Sequence, residues 1–141
     1  MGLEALTLQL AQRALALGGA ARGAPAVVSG ADLRRVGAVL QVLQARLDES
    51  HGLDTLAGWA GMSRWHFLRT FQRVTGVTPH QWLLRARLRE AAHRLTTTRV
   101  PVTQVALDVG FPDLSNFTRS FRSEFGLPPG RFRSAHAPRG G

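Results

Sequence analysis

Two segments of the chain, about fifty residues apart, carry the same spacing of arginine and phenylalanine. The first is GMSRWHFLRTFQRVTGVTP, residues 61–79, and the second is GFPDLSNFTRSFRSEFGLPP, residues 110–129. Both contain Phe-x-Arg-x-Phe, followed by a glycine and a proline. The arginine side chain presents a planar fork of N–H donors that matches phosphate oxygens and the edge of guanine. Its recurrence at matched positions indicates a surface that binds a polyanion.

The composition supports an anionic partner. The chain has 141 residues, with 18 Lys plus Arg against 9 Asp plus Glu, and a formal net charge of +9. All 18 basic residues are arginine. An excess of this size favours nucleic acid as the partner, with an anionic membrane as the second choice. Hydrophobic residues make up 44% of the chain, which is enough for the packed core of one domain.

Catalysis and metal binding have no support in the residue pattern. Cysteine is absent, which excludes disulfides, thiolate zinc sites and thiol nucleophiles. The five histidines lack the HExxH type of ligand spacing, and no pair of carboxylates is placed for acid–base work. We therefore expect a protein that is not an enzyme and needs no cofactor or metal. No apolar run approaches the roughly 20 residues of a membrane span, and no secretion signal opens the chain. We expect a cytoplasmic location and no membrane partner.

Glycine, proline and capping residues divide the chain into helices. No segment alternates with the period of a strand, so the predicted fold is all-α. We expect an N-terminal helix and flexible linker over residues 1–30, a folded domain over 31–134 and a disordered tail over 135–141. The N-terminal helix is predicted over 3–17. Within the domain we expect helices over about 32–50, 54–60, 64–74, 80–96, 102–109 and 114–125, and one further turn after residue 129.

The two arginine-bearing segments belong to a longer internal repeat. An offset of fifty pairs Phe67 with Phe117, Arg69 with Arg119, and Phe71 with Phe121. Upstream of Met62 and Phe111 the offset is forty-nine, so the second copy has one extra residue in its turn. Each copy consists of a short helix, a turn with a glycine and a second helix, which is the outline of a helix-turn-helix unit.

The paired phenylalanines predict which face of each second helix is exposed. Residues four apart share a helix face, so each phenylalanine pair is expected to fill the core. The opposite face would then insert into the DNA major groove. On it, Arg69 and Arg119 are placed to bond guanine, and Trp65 and Leu114 to contact thymine methyl groups. The alternative is that Trp65 is a core aromatic residue and that the arginines are solvated surface charges.

Residues 32–133 resemble the AraC/XylS family of bacterial transcription regulators. The resemblance is carried by AGMSRWHFLRTFQRVTGVTPHQWL in the first copy and VALDVGFPDLSNFTRSFRSEFGLPPGRFR in the second. It implies seven helices in two helix-turn-helix subdomains, joined by a long linker helix at about 79–96. It also implies sequence-specific DNA binding, in which two recognition helices enter successive major grooves.

The resemblance places the family's base-reading positions on seven residues of this chain. They are Trp65, Leu68, Arg69, Leu114, Ser115, Thr118 and Arg119. Leu68 and Leu114 depart from the polar residues often found there, so apolar contacts with thymine methyl groups are expected at those two. The residues expected to contact phosphate are Arg64, His66, Gln72, Arg73 and Arg122.

The implied partners are double-stranded DNA and RNA polymerase, and the implied location within the cytoplasm is the bacterial nucleoid. Family members usually carry a sensor domain before this module, whereas about thirty residues precede it here. We therefore expect either an excised DNA-binding domain or a small stand-alone regulator. The helix over 3–17 is either the end of a sensor or dimerising element, or packs back on the module, so a dimer remains open. The alternative function is a helical interaction module for RNA polymerase or another regulator.

Overall fold

The computed structural model describes residues 28–136, and within that range the chain forms seven α-helices and no strand. The prediction of an all-α fold is therefore confirmed. The predicted helix over 3–17 and the last five residues of the predicted tail lie outside the described residues. The helices are α1 (Gly30–Ala45), α2 (Leu53–Trp59), α3 (Arg64–Thr75), α4 (Pro79–Thr97), α5 (Val102–Asp108), α6 (Leu114–Phe125) and α7 (Pro129–His136).

The chain folds into two compact units, each with one helix-turn-helix. Within the described residues, the first unit contains residues 28–46 together with His51–Trp82, and the second contains Leu47–Ser50 together with residues 83–136. Helix α4 begins in the first unit and continues into the second.

The core of the first unit forms where α1 and α2 pack against α3. Phe67 and Phe71 of α3 have no exposed surface, and their ring centroids are 5.6 Å apart. Helix α1 buries Val36, Val39, Leu40 and Leu43. The predicted placement of both phenylalanines in the core is confirmed.

The core of the second unit is built in the same way around α6. Phe117 and Phe121 are fully buried, among apolar residues of α4 and α5. The ring of Phe121 lies 4.6 Å from Phe125 and 5.1 Å from Phe132 by centroid distance, so α7 closes this aromatic cluster.

Helix α1 is shorter than the predicted span of about 32–50. It begins at Gly30, where the Ser29 hydroxyl accepts a hydrogen bond from the backbone N–H of Asp32. It ends at Ala45, and the following residues form a turn and an irregular segment. The guanidinium of Arg87 binds the carbonyls of Leu47 and Glu49 in that segment, which stabilises the non-helical path.

The C-terminal end is longer than the single turn predicted after residue 129. Helix α7 is 8 residues long and runs to His136, so residue 134, the predicted domain boundary, lies inside a helix. The imidazole of His136 stacks on Phe132, with ring centroids 4.2 Å apart, which extends the aromatic cluster to the last described turn.

We expect Phe71→Ala and Phe121→Ala each to lower the free energy of unfolding by about 3–5 kcal/mol, because each leaves a large cavity in a closed core. Thermal or urea denaturation measures this loss. Trp65→Ala, which removes an aromatic residue of the same helix from an exposed position, is the control and should change stability little. Equal losses for Trp65→Ala and Phe71→Ala would contradict the assigned inner and outer faces.

Candidate nucleic-acid interface

Both helix-turn-helix units make the same turn with the same backbone bonds. Gly61 and Gly110 have φ of 66° and 106°, a left-handed conformation that favours glycine. The next residue in each turn donates its N–H to the carbonyl of a buried alanine: Met62 to Ala57 at 2.9 Å, and Phe111 to Ala106 at 3.0 Å. The predicted sharp turn is confirmed in both copies.

Side chains then fix where each recognition helix begins. The Ser63 hydroxyl accepts from the backbone N–H of His66 at 3.2 Å, and the Asp113 carboxylate accepts from that of Asn116 at 2.7 Å. These caps satisfy N–H groups that lack a partner within the helix. Gly76 and Gly126, both with φ of 82°, end α3 and α6 after 12 residues each. The two recognition helices are therefore matched in length and ends.

The outer face of α3 carries the predicted base-reading residues of the first unit. Trp65 is 67% exposed, which excludes a core role for it in this structure. Arg69, one turn further on, is also exposed. Leu68 is half-buried, so only part of its side chain is available on that face.

The outer face of α6 is arranged similarly. Leu114 is 42% exposed, Ser115 and Arg119 are exposed, and Thr118 is half-buried. An open depression runs along this face of the helix. It is lined by Leu114, Ser115, Thr118, Arg119, Arg122 and Ser123, and so brings together all four predicted base-reading residues of the second unit and its predicted phosphate contact.

Each recognition helix presents two arginines that form no ion pair with any residue from 28 to 136. They are Arg69 and Arg73 on α3, and Arg119 and Arg122 on α6. Gln72 is exposed beside the first two. These guanidinium groups are free to exchange water for phosphate or base-edge acceptors.

Two predicted phosphate contacts already have carboxylate partners. The Arg64 guanidinium donates to Asp54 of α2 through Nε–Oδ1 at 2.7 Å and Nη2–Oδ2 at 2.5 Å. This hydrogen bonding lowers the pKa of the Asp54 carboxyl and raises the pKa of Arg64. The His66 Nε2 lies 3.3 Å from the Asp32 carboxylate. Both partners are remote in sequence and lie on other helices, so the sequence pattern did not reveal them.

Two further arginines are used inside the second unit. Arg87 donates to the carbonyls of Leu47 at 2.6 Å and Glu49 at 3.0 Å, and burial lowers the pKa of this half-buried guanidinium. Arg133 donates to the carbonyls of Leu95 at 2.9 Å and Val100 at 2.6 Å. Part of the positive charge of the chain therefore serves the fold.

Within residues 28–136, no helix is both long and apolar enough to cross a membrane. The same residues include no group of three or more His, Cys, Asp or Glu side chains placed to hold a metal ion.

Comparison with known proteins agrees with this geometry. A family model described as a helix-turn-helix domain matches residues 56–135. The Transposon Tn10 TetD protein of Escherichia coli is 37% identical over 95 residues, covering 67% of this chain and 69% of TetD. The solved DNA-binding domain of the transcriptional factor AdpA, in complex with a target DNA, is 34% identical and superposes with a TM-score of 0.68, covering 72% of this chain and 91% of that one.

A regulator from Chromobacterium violaceum, whose structure is of the AraC type, superposes with a TM-score of 0.71 at 25% identity, covering 79% of this chain and all of that one. This chain belongs to the AraC/XylS family. AraC/XylS proteins are DNA-binding transcription regulators, so the predicted function class is confirmed, as is the prediction that the protein is not an enzyme. The chain spans 31–35% of the length of several longer relatives.

We expect Gly110→Ala to destabilise the protein more than Gly126→Ala. Both residues have positive φ, where a side chain costs roughly 1–2 kcal/mol. Only at Gly110 would the added Cβ meet other atoms, 2.8 Å from the Arg87 Nε and 2.9 Å from the Asp48 Cα. Chemical denaturation of the two variants measures the difference. Equal losses would show that this close approach is relieved without cost.

Arg87→Gln and Arg133→Gln are each expected to lower the free energy of unfolding by about 1–3 kcal/mol, because carbonyls that accept from a guanidinium lose their donor. Arg85→Gln is the matched control, since Arg85 is exposed on the same helix as Arg87, and it should stay within about 0.5 kcal/mol. Thermal melts of the three variants test this. Equal changes in stability for all three variants would contradict the structural role assigned to Arg87 and Arg133.

Proposed function

We propose that this regulator reads two DNA half-sites, one with each recognition helix, through faces centred on Arg69 and Arg119. The observation that carries the proposal is that both arginines occupy the same position of matched helices. Both are exposed, and neither has an ionic partner among residues 28–136. An exposed large apolar residue precedes each of them near the start of the helix, Trp65 on α3 and Leu114 on α6.

The base contacts follow from the chemistry of these side chains. A guanidinium fork bonds the O6 and N7 of guanine at once, which no other base allows in that pattern. Trp65 and Leu114 offer apolar surface to thymine methyl groups. Ser115 and Thr118 add hydroxyl groups that can donate or accept on α6. Leu68, being half-buried, contributes only an apolar edge.

Contacts to phosphate position each helix without reading sequence. Gln72 and Arg73 serve this purpose on α3, and Arg122 on α6, because all three are exposed toward the ends of their helices. Arg64 and His66 have a smaller role in the proposal, because each would first have to exchange its carboxylate partner for phosphate.

The two half-sites are proposed to lie in successive major grooves, about one helical turn apart on the duplex. The AdpA domain, solved with a target DNA, supports binding of duplex DNA by a chain of this fold. RNA polymerase is proposed as the second partner, since a transcription regulator acts on its recruitment or progress. Dimerisation through residues 3–17 stays a prediction.

We expect Arg69→Ala and Arg119→Ala each to weaken binding to the preferred site by about 1–3 kcal/mol and to relax selectivity at one base pair. The preferred site is found first by selecting binders from a random duplex library with the unchanged protein. Affinities for that site and for each single-base change are then measured by fluorescence anisotropy. Arg85→Ala is the control, with the same loss of charge at an exposed position of α4.

A loss of affinity of the same size on all sequences would indicate that Arg69 and Arg119 contact phosphate and not bases. Binding equal to that of Arg85→Ala would remove them from the interface altogether. A protein that selects no duplex and shows no salt dependence would instead favour the protein-interaction alternative, because phosphate neutralisation releases counterions.

A further inference from the structure

The first residue of α3 is held by a carboxylate from the neighbouring helix of its helix-turn-helix. Arg64 and Asp54 form two parallel hydrogen bonds, at 2.7 and 2.5 Å, and their side chains are 51% and 69% exposed. Both groups are accessible to solvent, so the pair lies on the protein surface at the start of the recognition helix. A bidentate carboxylate takes up the donor fork that arginine would otherwise offer to a phosphate.

The position of Arg64 explains why a carboxylate is favourable there. The N-terminus of a helix carries partial positive charge, so a cation at its first residue is repelled. The negative charge of Asp54 offsets that repulsion, and the pair itself has no net charge. The hydrogen bonds between the two groups, and the attraction of their charges, raise the pKa of Arg64 and lower the pKa of Asp54.

The second helix-turn-helix has no equivalent pair. In the internal repeat, Leu114 occupies the position equivalent to Arg64, and Thr103 the position equivalent to Asp54. When the Arg64–Asp54 pair is formed, each recognition helix presents two unpaired arginines among the described residues. If the pair were broken, α3 would present three. The pair therefore sets the number of arginines on α3 that are available to bind phosphate.

We propose that Asp54 limits sequence-independent DNA binding by neutralising Arg64. This inference rests on the proposed DNA-reading role of α3. Non-specific affinity depends on how many phosphates are neutralised, whereas specific affinity also draws on base contacts. An additional unpaired arginine can neutralise one more phosphate and so strengthens binding to every duplex, whatever its sequence.

The test compares Asp54→Asn with the unchanged protein on an unrelated duplex and on the preferred site, over a series of salt concentrations. On the unrelated duplex we expect the slope of log affinity against log salt to become steeper by about 0.9, the value for one further phosphate. Non-specific affinity at low salt should rise several-fold, and affinity for the preferred site should rise with it. Asp54→Glu keeps the charge and should resemble the unchanged protein.

The double variant Asp54→Asn/Arg64→Gln removes the pair as a whole. Its slope on the unrelated duplex should return close to that of the unchanged protein, because Arg64 contributes little to phosphate neutralisation while it is paired with Asp54. Asp108→Asn is the matched control for net charge. Asp108 is the last residue of α5, the first helix of the second helix-turn-helix. It accepts from Gln104 and lies 4.0 Å from Arg94, neither of which belongs to a recognition helix. It should steepen the slope less than Asp54→Asn.

An unchanged slope for Asp54→Asn, with a folded protein by thermal melt, would overturn the inference, and so would a slope equal to that of Asp108→Asn. Weaker binding by both Asp54→Asn and the double variant would also overturn it, because Asp54 would then be positioning Arg64 on a phosphate. The proposed function fails separately, when the unchanged protein selects no preferred site. The slopes on the unrelated duplex remain interpretable in that case.

Discussion

The orientation of the outer face of each recognition helix depends on the burial of two phenylalanines that lie one turn apart in that helix. Phe67 and Phe71, like Phe117 and Phe121, have no exposed surface. A helix with 3.6 residues per turn cannot rotate about its axis once two residues on one face are enclosed. Arg69 and Arg119 lie between the members of each pair and are therefore directed outward. Core packing and availability for DNA are thus set by the same four side chains.

The turns add a second constraint, which sets where along the chain each recognition helix begins. A glycine with positive φ reverses the chain, and a capping side chain then satisfies the first N–H groups. The second copy has an extra residue in the turn, Pro112, yet its helix also runs for 12 residues to a left-handed glycine. The extra residue lies before the capping residue. It therefore does not change the positions of the arginine and the phenylalanines within α6.

Features that depend on nearby residues could be predicted from the sequence, and features that depend on distant ones could not. The caps, the glycine turns and the buried phenylalanines follow from local pattern and appear twice, so each copy supports the other. The early end of α1 depends on Arg87, whose bond to Leu47 spans 40 residues. The partners of Arg64 and His66 come from other helices, and no local pattern marks them. Leu68 and Thr118 are predicted on the outer face, but each follows a buried phenylalanine by one residue, about 100° around the helix, and is therefore half-buried at the edge of that face.

Net charge alone would have misassigned several arginines. Seven of the described arginines show three different situations: Arg87 and Arg133 bind carbonyls, Arg64 binds a carboxylate, and four on the recognition helices have no ionic partner among residues 28–136. The two helices differ most at their first residues, where α3 has a neutral ion pair and α6 an exposed leucine. If each helix reads its own half-site, we expect the two half-sites to differ in sequence, because the outer faces of the two helices differ. The DNA site would then lack two-fold symmetry, and a single chain would bind it in one orientation.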